Sequence, residues 1–129
     1  MSEHIKRCKQ EEEFYFKEGC HIIEVSNTAD DPDVSIAHAR VEKGQTTRWH
    51  WLSDTFERYV IMEGRGLVEV GPDDPVEVTT GDVVLIPPQT RQRITNTGDS
   101  DLKFMAICSP RFSHLNYHNL DEKHAKSHG

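Results

Sequence analysis

The sequence has few cysteines and no long apolar segment. Its 129 residues include three cysteines, Cys8, Cys20 and Cys108, which lie far apart and form no Cys-x-x-Cys pair. This pattern argues against a disulfide framework and predicts reduced thiols. No segment approaches the roughly 20 apolar residues of a membrane-spanning helix, and the N-terminus lacks the apolar core of a secretory signal. We therefore expect a soluble, cytoplasmic protein with no membrane partner.

Positive charge is also scarce. The chain has 15 Lys and Arg residues against 22 Asp and Glu residues, which gives a formal net charge of −7. Proteins that bind nucleic acids or anionic membranes usually present clustered basic residues. The composition therefore predicts that nucleic acid is not a partner of this chain.

Short apolar and β-branched segments, separated by Gly, Pro, Asn and Asp, follow from residue 20 onward. About nine such segments at intervals of roughly 8–12 residues are typical of an all-β sandwich or barrel. They do not alternate with long helical segments, as a parallel α/β sheet would require. The predicted strands are 21–25, 34–41, 46–52, 57–62, 67–70, 76–79, 83–86, 92–95 and 102–108.

Composition divides the chain into three parts. Residues 1–19 are highly charged and form a predicted N-terminal arm, whose apolar cluster Phe14-Tyr15-Phe16 would anchor it to the body or to a second subunit. Residues 20–112 form the predicted barrel. Residues 113–129 are polar and histidine-rich, and we expect a frayed helix or a disordered tail there.

Residues 44–64 carry one histidine, His50, and one glutamate, Glu57, on two neighbouring predicted strands. Side chains alternate between the two faces of a strand, so these two residues can face each other inside a barrel. An imidazole and a carboxylate can hold a transition metal when a third ligand is present. The alternative is a metal-free polar pocket for an organic molecule. The residues expected to share this interior are Arg48, His50, Leu52, Glu57, Tyr59, Ile61 and Gln92.

The spacing in this region resembles the two sequence motifs of the cupin superfamily. The first motif is matched by Gly44, His50, Glu57 and Gly64, and the second by Gly81, Pro87 and Asn96. The resemblance covers residues 34–112. It implies a small single-domain cupin with the double-stranded β-helix fold, a jelly-roll-like barrel.

Two positions depart from the ligand pattern of the cupin motifs. Leu52 replaces the second histidine of the first motif, and Gln92 replaces the histidine of the second. The resemblance therefore implies a metal site made by His50, Glu57 and Gln92, looser than usual because an amide oxygen is a weaker ligand than imidazole. The metal could be Fe, Mn, Ni or Zn. Arg48, Leu52 and Tyr59 are the residues expected to line the ligand pocket.

Three functions remain open from the sequence. The first is a cupin that binds a divalent metal, a small acidic metabolite or both; as an enzyme it would resemble a metal-dependent dioxygenase, isomerase or decarboxylase, with Arg48 holding the acid. The second is a metal-free module that binds or senses a small molecule. The third is a metal-free isomerase or epimerase with His50 as base and Tyr59 as acid. Alternation turns Trp49 and Trp51 away from His50, so we expect them to pack between the sheets or at a subunit contact. We also expect a homodimer.

Overall fold

Two antiparallel β-sheets make up the computed structural model, which describes residues 4–120. Short 3₁₀ helices cover Gln10–Glu12 and His114–Asn116. No helix in the described part of the chain is long and apolar enough to cross a bilayer. The strands in residues 4–120 are β1 (Phe14–Phe16), β2 (Cys20–Ser26), β3 (Ser35–Val41), β4 (His50–Leu52), β5 (Phe56–Glu63), β6 (Arg65–Val70), β7 (Val76–Thr79), β8 (Val83–Ile86), β9 (Gln92–Asn96), β10 (Leu102–Ser109) and β11 (Tyr117–Asn119).

The connections between strands place the candidate residues in opposite sheets. One sheet has the order β1-β2-β3-β10-β5-β8, and the other has the order β11-β4-β9-β6-β7. From β3 to β10 the chain changes sheet at every connection except β6 to β7. His50 on β4 and Glu57 on β5 therefore approach the interior from opposite walls. The predicted all-β architecture is confirmed.

Alternation on β5 and β9 builds the core between the sheets. Glu57, Tyr59 and Ile61 are buried on β5, whereas the residues between them are only half-buried. On β9, Gln92 and Ile94 are buried in the same way. Full burial of an isoleucine contributes about 1.5–3 kcal/mol, so this pattern fixes the register of both strands. Both faces are those expected from the sequence.

The strand predicted over residues 46–52 begins only at His50, because the backbone before it bonds elsewhere. Thr47 N donates to the carbonyl of Ile94 (2.9 Å), and Arg48 N donates to the carbonyl of Glu18 (2.7 Å). These bonds interrupt regular pairing, so the two-residue alternation does not extend from His50 back to Arg48. Arg48 is consequently exposed, and the prediction that it shares the inward face with His50 is wrong.

The polar segment after residue 112 is partly ordered. β11 pairs with β4, with Tyr117 opposite Leu52 and Asn119 opposite His50. The prediction of a frayed helix or disordered tail is therefore wrong for residues 113–119. A 3₁₀ helix capped by the Ser113 side chain covers His114–Asn116, and strand pairing holds Tyr117–Asn119. The rest of that predicted tail, residues 121–129, lies outside the described residues. At the other end of the chain, β1 pairs with β2 and attaches the N-terminal arm to the barrel.

Asn96, a residue of the second cupin-like motif, fastens a turn to the barrel. Its side chain is buried, and Nδ2 donates to the carbonyls of Val41 and Ser100, each at 2.8 Å. Its Oδ1 accepts from Gly98 N at 2.9 Å. One amide thus satisfies three backbone groups near the β9–β10 connection. The role of this motif residue in the fold is to hold that turn against the end of β3.

Replacing Asn96 should destabilise the barrel strongly. Asn96→Ala leaves buried backbone groups unpaired, and Asn96→Asp also turns an oxygen toward two carbonyl oxygens. We expect the free energy of unfolding to fall by about 2–4 kcal/mol in either variant, measured by urea denaturation. The exposed neighbour Thr97 provides the control, since Thr97→Ala should change it by less than about 0.5 kcal/mol. Equal stability of the Asn96 and Thr97 variants would contradict this role.

Candidate active site

A buried histidine with two acceptor partners forms the centre of the site. The His50 side chain is 2% exposed. Its Nε2 lies 2.9 Å from Glu18 Oε2, and its Nδ1 lies 2.7 Å from the carbonyl oxygen of Arg48. A carbonyl oxygen and an ionised carboxylate accept hydrogen bonds and do not donate them. Against the opposing effect of burial, His50 holds the pKa of Glu18 below its usual value, and Glu18 raises the pKa of His50. We therefore assign a hydrogen to both ring nitrogens, so that His50 is an imidazolium paired with the Glu18 carboxylate.

Glu18 reaches this pair from a tight turn between β1 and β2. Gly19 N donates to Phe16 O at 2.9 Å, and Gly19 has a φ of +99°, a conformation that favours glycine. The Glu18 carbonyl accepts from Arg48 N, which ties the turn to the chain just before β4. Glu18 Oε1 also accepts from the Cys20 thiol at 3.3 Å. The arm that precedes the barrel thereby supplies one of its inner carboxylates.

A chain of hydrogen bonds fixes the second inner carboxylate. Gln92 is fully buried opposite His50 in the β4–β9 pairing, and its Nε2 donates to Glu57 Oε1 at 2.7 Å. The Tyr59 hydroxyl donates to Gln92 Oε1 in turn. Glu57 Oε2 has only a long contact with the Cys108 thiol, at 3.8 Å. That oxygen is the least satisfied acceptor of the buried group.

The buried charges shift one another's proton affinities in opposite directions. Burial alone would lower the pKa of His50, but the charge and hydrogen bond of Glu18 outweigh it and raise the pKa to about 9. Burial would raise the pKa of Glu18, yet His50 holds it below its usual value. For Glu57, burial and the Glu18 charge raise the pKa to about 7, against smaller opposing effects of His50 and Gln92. The site therefore joins a stable ion pair to a carboxyl group that titrates near neutral pH.

These side chains lie at the inner end of a cavity of about 60 Å³. The inner lining is buried and the outer lining, which includes Phe14, is exposed. The Tyr117 ring stacks on the His50 ring, with centroids 5.3 Å apart and planes at 21°. The lining residues are Phe14, Phe16, Glu18, Ile22, Glu24, Ser35, Ile36, Ala37, His50, Leu52, Glu57, Ala106, Cys108, Phe112, His114 and Tyr117.

The structure brings some of the sequence-predicted residues together and separates others. His50, Glu57 and Leu52 line the cavity. Gln92 and Tyr59 are buried behind Glu57 and are absent from the lining, because their polar groups are bonded to each other and to Glu57. Arg48 is exposed and also absent from the lining. Its guanidinium is not in the position that the predicted acid-binding role requires.

The two tryptophans face away from the cavity, as alternation predicts for Trp51. The Trp49 ring lies under the guanidinium groups of Arg91 and Arg93, at 4.7 and 4.4 Å. Trp51 stacks on His118 with centroids 4.0 Å apart. These contacts cover part of both indoles on the outer face of the second sheet.

The amino-acid sequence matches a known family over this same region. Residues 37–108, more than half of the chain, match the family model described as Cupin domain. The chain belongs to the cupin family. This cupin is also 39% identical over 80 residues to an uncharacterized protein of Methanocaldococcus jannaschii. That match covers 62% of this chain and 63% of the relative.

Solved structures confirm the double-stranded β-helix fold of this cupin. A cupin family protein of M. jannaschii with that fold superposes with a TM-score of 0.67 at 20% identity, covering 86% of this chain and 94% of the other. KdgF from Halomonas superposes with a TM-score of 0.74 at 16% identity, and the match covers 86% of this chain and 98% of KdgF. Pac13, a nucleoside dehydratase from Streptomyces, superposes with a TM-score of 0.75 at 18% identity, and the match covers 92% of both chains. At these identities the likeness concerns the fold.

Cupins commonly bind metals, but the donor set of this chain does not fit one. His50 presents N–H groups to two acceptors, and Gln92 turns its amide nitrogen toward Glu57. Leu52 has no donor atom. Within residues 4–120 no group of three or more His, Cys, Asp or Glu side chains is arranged to hold a metal ion. The ligand role predicted for His50, Glu57 and Gln92 therefore has no support from their hydrogen bonding.

The residues that the sequence did not reveal come from outside the motif region. Glu18 precedes the first predicted strand, and Tyr117 lies in the segment expected to be disordered. The local signal for Glu18 is a Glu-Gly pair between two strand-like segments, which predicts a turn and says nothing of its partner. Tyr117 has no comparable signal, because its contact with His50 depends on the pairing of β11 with β4.

Glu18→Gln should weaken the fold and lower the pKa of His50. The folded pKa of His50, about 9, lies above its ordinary value of 6.5, and the pKa of Glu18 is held below its ordinary value of 4.5. The pair's stabilisation is therefore complete between pH 4.5 and 6.5, and it disappears as pH rises through 9 or falls through the lowered pKa of Glu18. We expect a loss of about 2–4 kcal/mol at pH 6 that shrinks toward pH 10, measured by denaturation alongside NMR titration of the imidazole.

The surface pair of His21 and Glu42, at 2.7 Å, is the matched control. Glu42 is exposed, so Glu42→Gln should change the free energy of unfolding by at most about 1 kcal/mol. A His50 pKa that is the same in the wild type and in Glu18→Gln would contradict the assigned ion pair.

Proposed function

We propose that this cupin is a metal-independent isomerase that shifts a proton on a small carbonyl compound bound in the cavity. The observation that carries the proposal is geometric: Glu57 lines the cavity with one oxygen anchored by Gln92 and the other, Oε2, nearly free. A fixed carboxyl group with one available oxygen is suited to take up and return a proton. The metal-free isomerase considered from the sequence is thus retained with different roles for its residues.

Glu57 is the base in this scheme, because the polar groups of His50 and Tyr59 already form hydrogen bonds within the protein. Both His50 nitrogens donate to protein acceptors, and the Tyr59 hydroxyl donates to Gln92 behind the cavity. Glu57 Oε2 would accept a proton from the carbon beside a carbonyl. The C–H electron pair would form a carbon–carbon double bond, and the π pair of the carbonyl would move to its oxygen, giving an enolate. The carboxyl group would then return the proton to a different carbon of the conjugated enolate, which re-forms a carbonyl group. The buried His50 imidazolium would stabilise the negative charge on the intermediate.

Deuterium exchange tests this chemistry without knowledge of the natural substrate. We expect the protein to speed incorporation of solvent deuterium at carbon in hydroxyacetone or aminoacetone in D2O, followed by NMR against the protein-free rate. Glu57→Gln should lower the catalysed rate by at least about 100-fold, while the exposed Glu77→Gln should match the wild type. Catalysis that survives in Glu57→Gln would eliminate Glu57 as the base.

The rate should depend on pH through two groups. Glu57 must be ionised to accept a proton, so kcat/KM should rise as pH passes about 7, and His50 must stay protonated, so the rate should fall as pH passes about 9. The charged or titratable groups that act on Glu57 are Glu18, His50 and Cys108. The rising and falling parts of the pH–rate profile therefore report the titration of this coupled group of residues and not of single side chains. A profile still rising above pH 9, after subtraction of hydroxide-catalysed exchange, would contradict the role of His50.

Metal dependence is the competing hypothesis, with Fe, Mn, Ni or Zn held by His50, Glu57 and Gln92. Elemental analysis of untagged protein separates the two. The proposal predicts metal well below one equivalent and exchange activity that survives a strong chelator. A near-stoichiometric metal that is lost in His50→Ala would support the competing hypothesis.

Binding without turnover is the second alternative, since Tyr117 and the ion pair form a preformed, largely satisfied end of the cavity. It predicts a ligand-induced rise in melting temperature without deuterium exchange. The homodimer and the cytoplasmic location also remain proposals. Light scattering tests the homodimer.

A further inference from the structure

The outer part of the cavity has aromatic walls. The rings of Phe14 and Phe16 meet edge to face with centroids 6.4 Å apart, and those of Phe16 and Phe112 meet in the same way at 6.4 Å. Phe16 also contacts Tyr117, at 5.2 Å, so the aromatic wall continues inward to the ring stacked on His50. Aromatic faces attract cations that approach within about 6 Å of the ring centre.

A positioned carboxylate stands at the exposed end of this wall. Glu24 lies two residues after Ile22, the register partner of Phe14, and therefore on the same face of β2. Asn27 Nδ2 donates to Glu24 Oε2 at 2.8 Å and to the carbonyl oxygen of Phe112 at 3.0 Å. One amide thus holds the Glu24 carboxylate beside the Phe112 segment.

The charge of the lining is one-sided. Glu18, Glu24 and Glu57 line the cavity together with His50 and His114, and the lining contains no Lys or Arg. The His50 imidazolium is hydrogen-bonded to Glu18 and acts on Glu57 only through its charge. Within residues 4–120, neither Glu24 nor Glu57 forms a salt bridge. Glu57 is 8% exposed, and its Oε2 has only the long thiol contact. An anionic ligand would meet these carboxylates at both ends of the cavity.

We propose that the ligand of this cavity carries a protonated amine, held at the outer end by Glu24 and the rings of Phe14, Phe16 and Phe112. The inference rests on the proposed function and names its substrate class, a small amino-carbonyl compound, with the carbonyl portion directed inward to Glu57. A cationic ligand replaces the acidic ligand expected from the sequence.

Three probes of equal chain length test the charge preference in a binding experiment that needs no turnover. Butylamine, butan-1-ol and butanoate are titrated into the wild-type protein and followed by NMR shifts of residues that line the cavity. We expect butylamine to bind at least tenfold more tightly than butan-1-ol, and butanoate to bind more weakly than either. Equal affinity for amine and alcohol, or preference for butanoate, would overturn the inference.

Glu24→Gln tests where the amine is held. It should weaken butylamine binding about fivefold or more and leave butan-1-ol binding unchanged, whereas Glu77→Gln should alter neither. Unchanged amine affinity in Glu24→Gln, with an unchanged melting temperature as proof of folding, would overturn the placement. Amine selectivity without deuterium exchange would remove only the proposed isomerase activity, and exchange without amine selectivity would remove only this inference.

Discussion

The buried ion pair between His50 and Glu18 is the constraint on which the arrangement of the site depends. It joins the turn after β1 to β4, and so it draws the N-terminal arm into the barrel. Separating the pair would leave a charge in a place that water reaches poorly, which costs several kcal/mol. The Arg48 carbonyl completes the hydrogen bonding of the imidazolium, and the Tyr117 ring covers its face. Segments on both sides of the motif region therefore close around one protonated histidine.

The same ion pair helps to explain the side chains at the two positions that depart from the cupin motifs, Leu52 and Gln92. His50 is engaged by Glu18, and Leu52, which replaces the second histidine of the first motif, packs in a cluster with Cys108 and Tyr117. Gln92 accepts a hydrogen bond from the Tyr59 hydroxyl and donates one to Glu57. The motif positions that keep an ionisable side chain facing the cavity are His50, which is a cation, and Glu57, whose pKa is raised to about 7. Such a separation of proton affinities is characteristic of acid–base sites.

Much of the barrel could be predicted from the sequence, because β5 and β9 are regular strands whose buried residues alternate. The motif spacing also predicted correctly that His50, Glu57 and Gln92 meet in the interior. The prediction for Arg48 was wrong because the backbone at residues 47–48 bonds to Ile94 and Glu18, and these long-range bonds leave no local pattern. The closing residues Glu18 and Tyr117 were missed for a related reason: their segments are polar, without periodicity, and their order comes from tertiary contacts.

The protonation state of His50 is the most direct test of this account, and neutron diffraction from crystals of the deuterated protein would observe it. The account predicts deuterium on both Nδ1 and Nε2 of His50 and none on Glu18, with the Nε2 deuteron directed at Glu18 Oε2. An His50 Nε2 that lacks a deuteron and points at a bound metal ion would contradict the account.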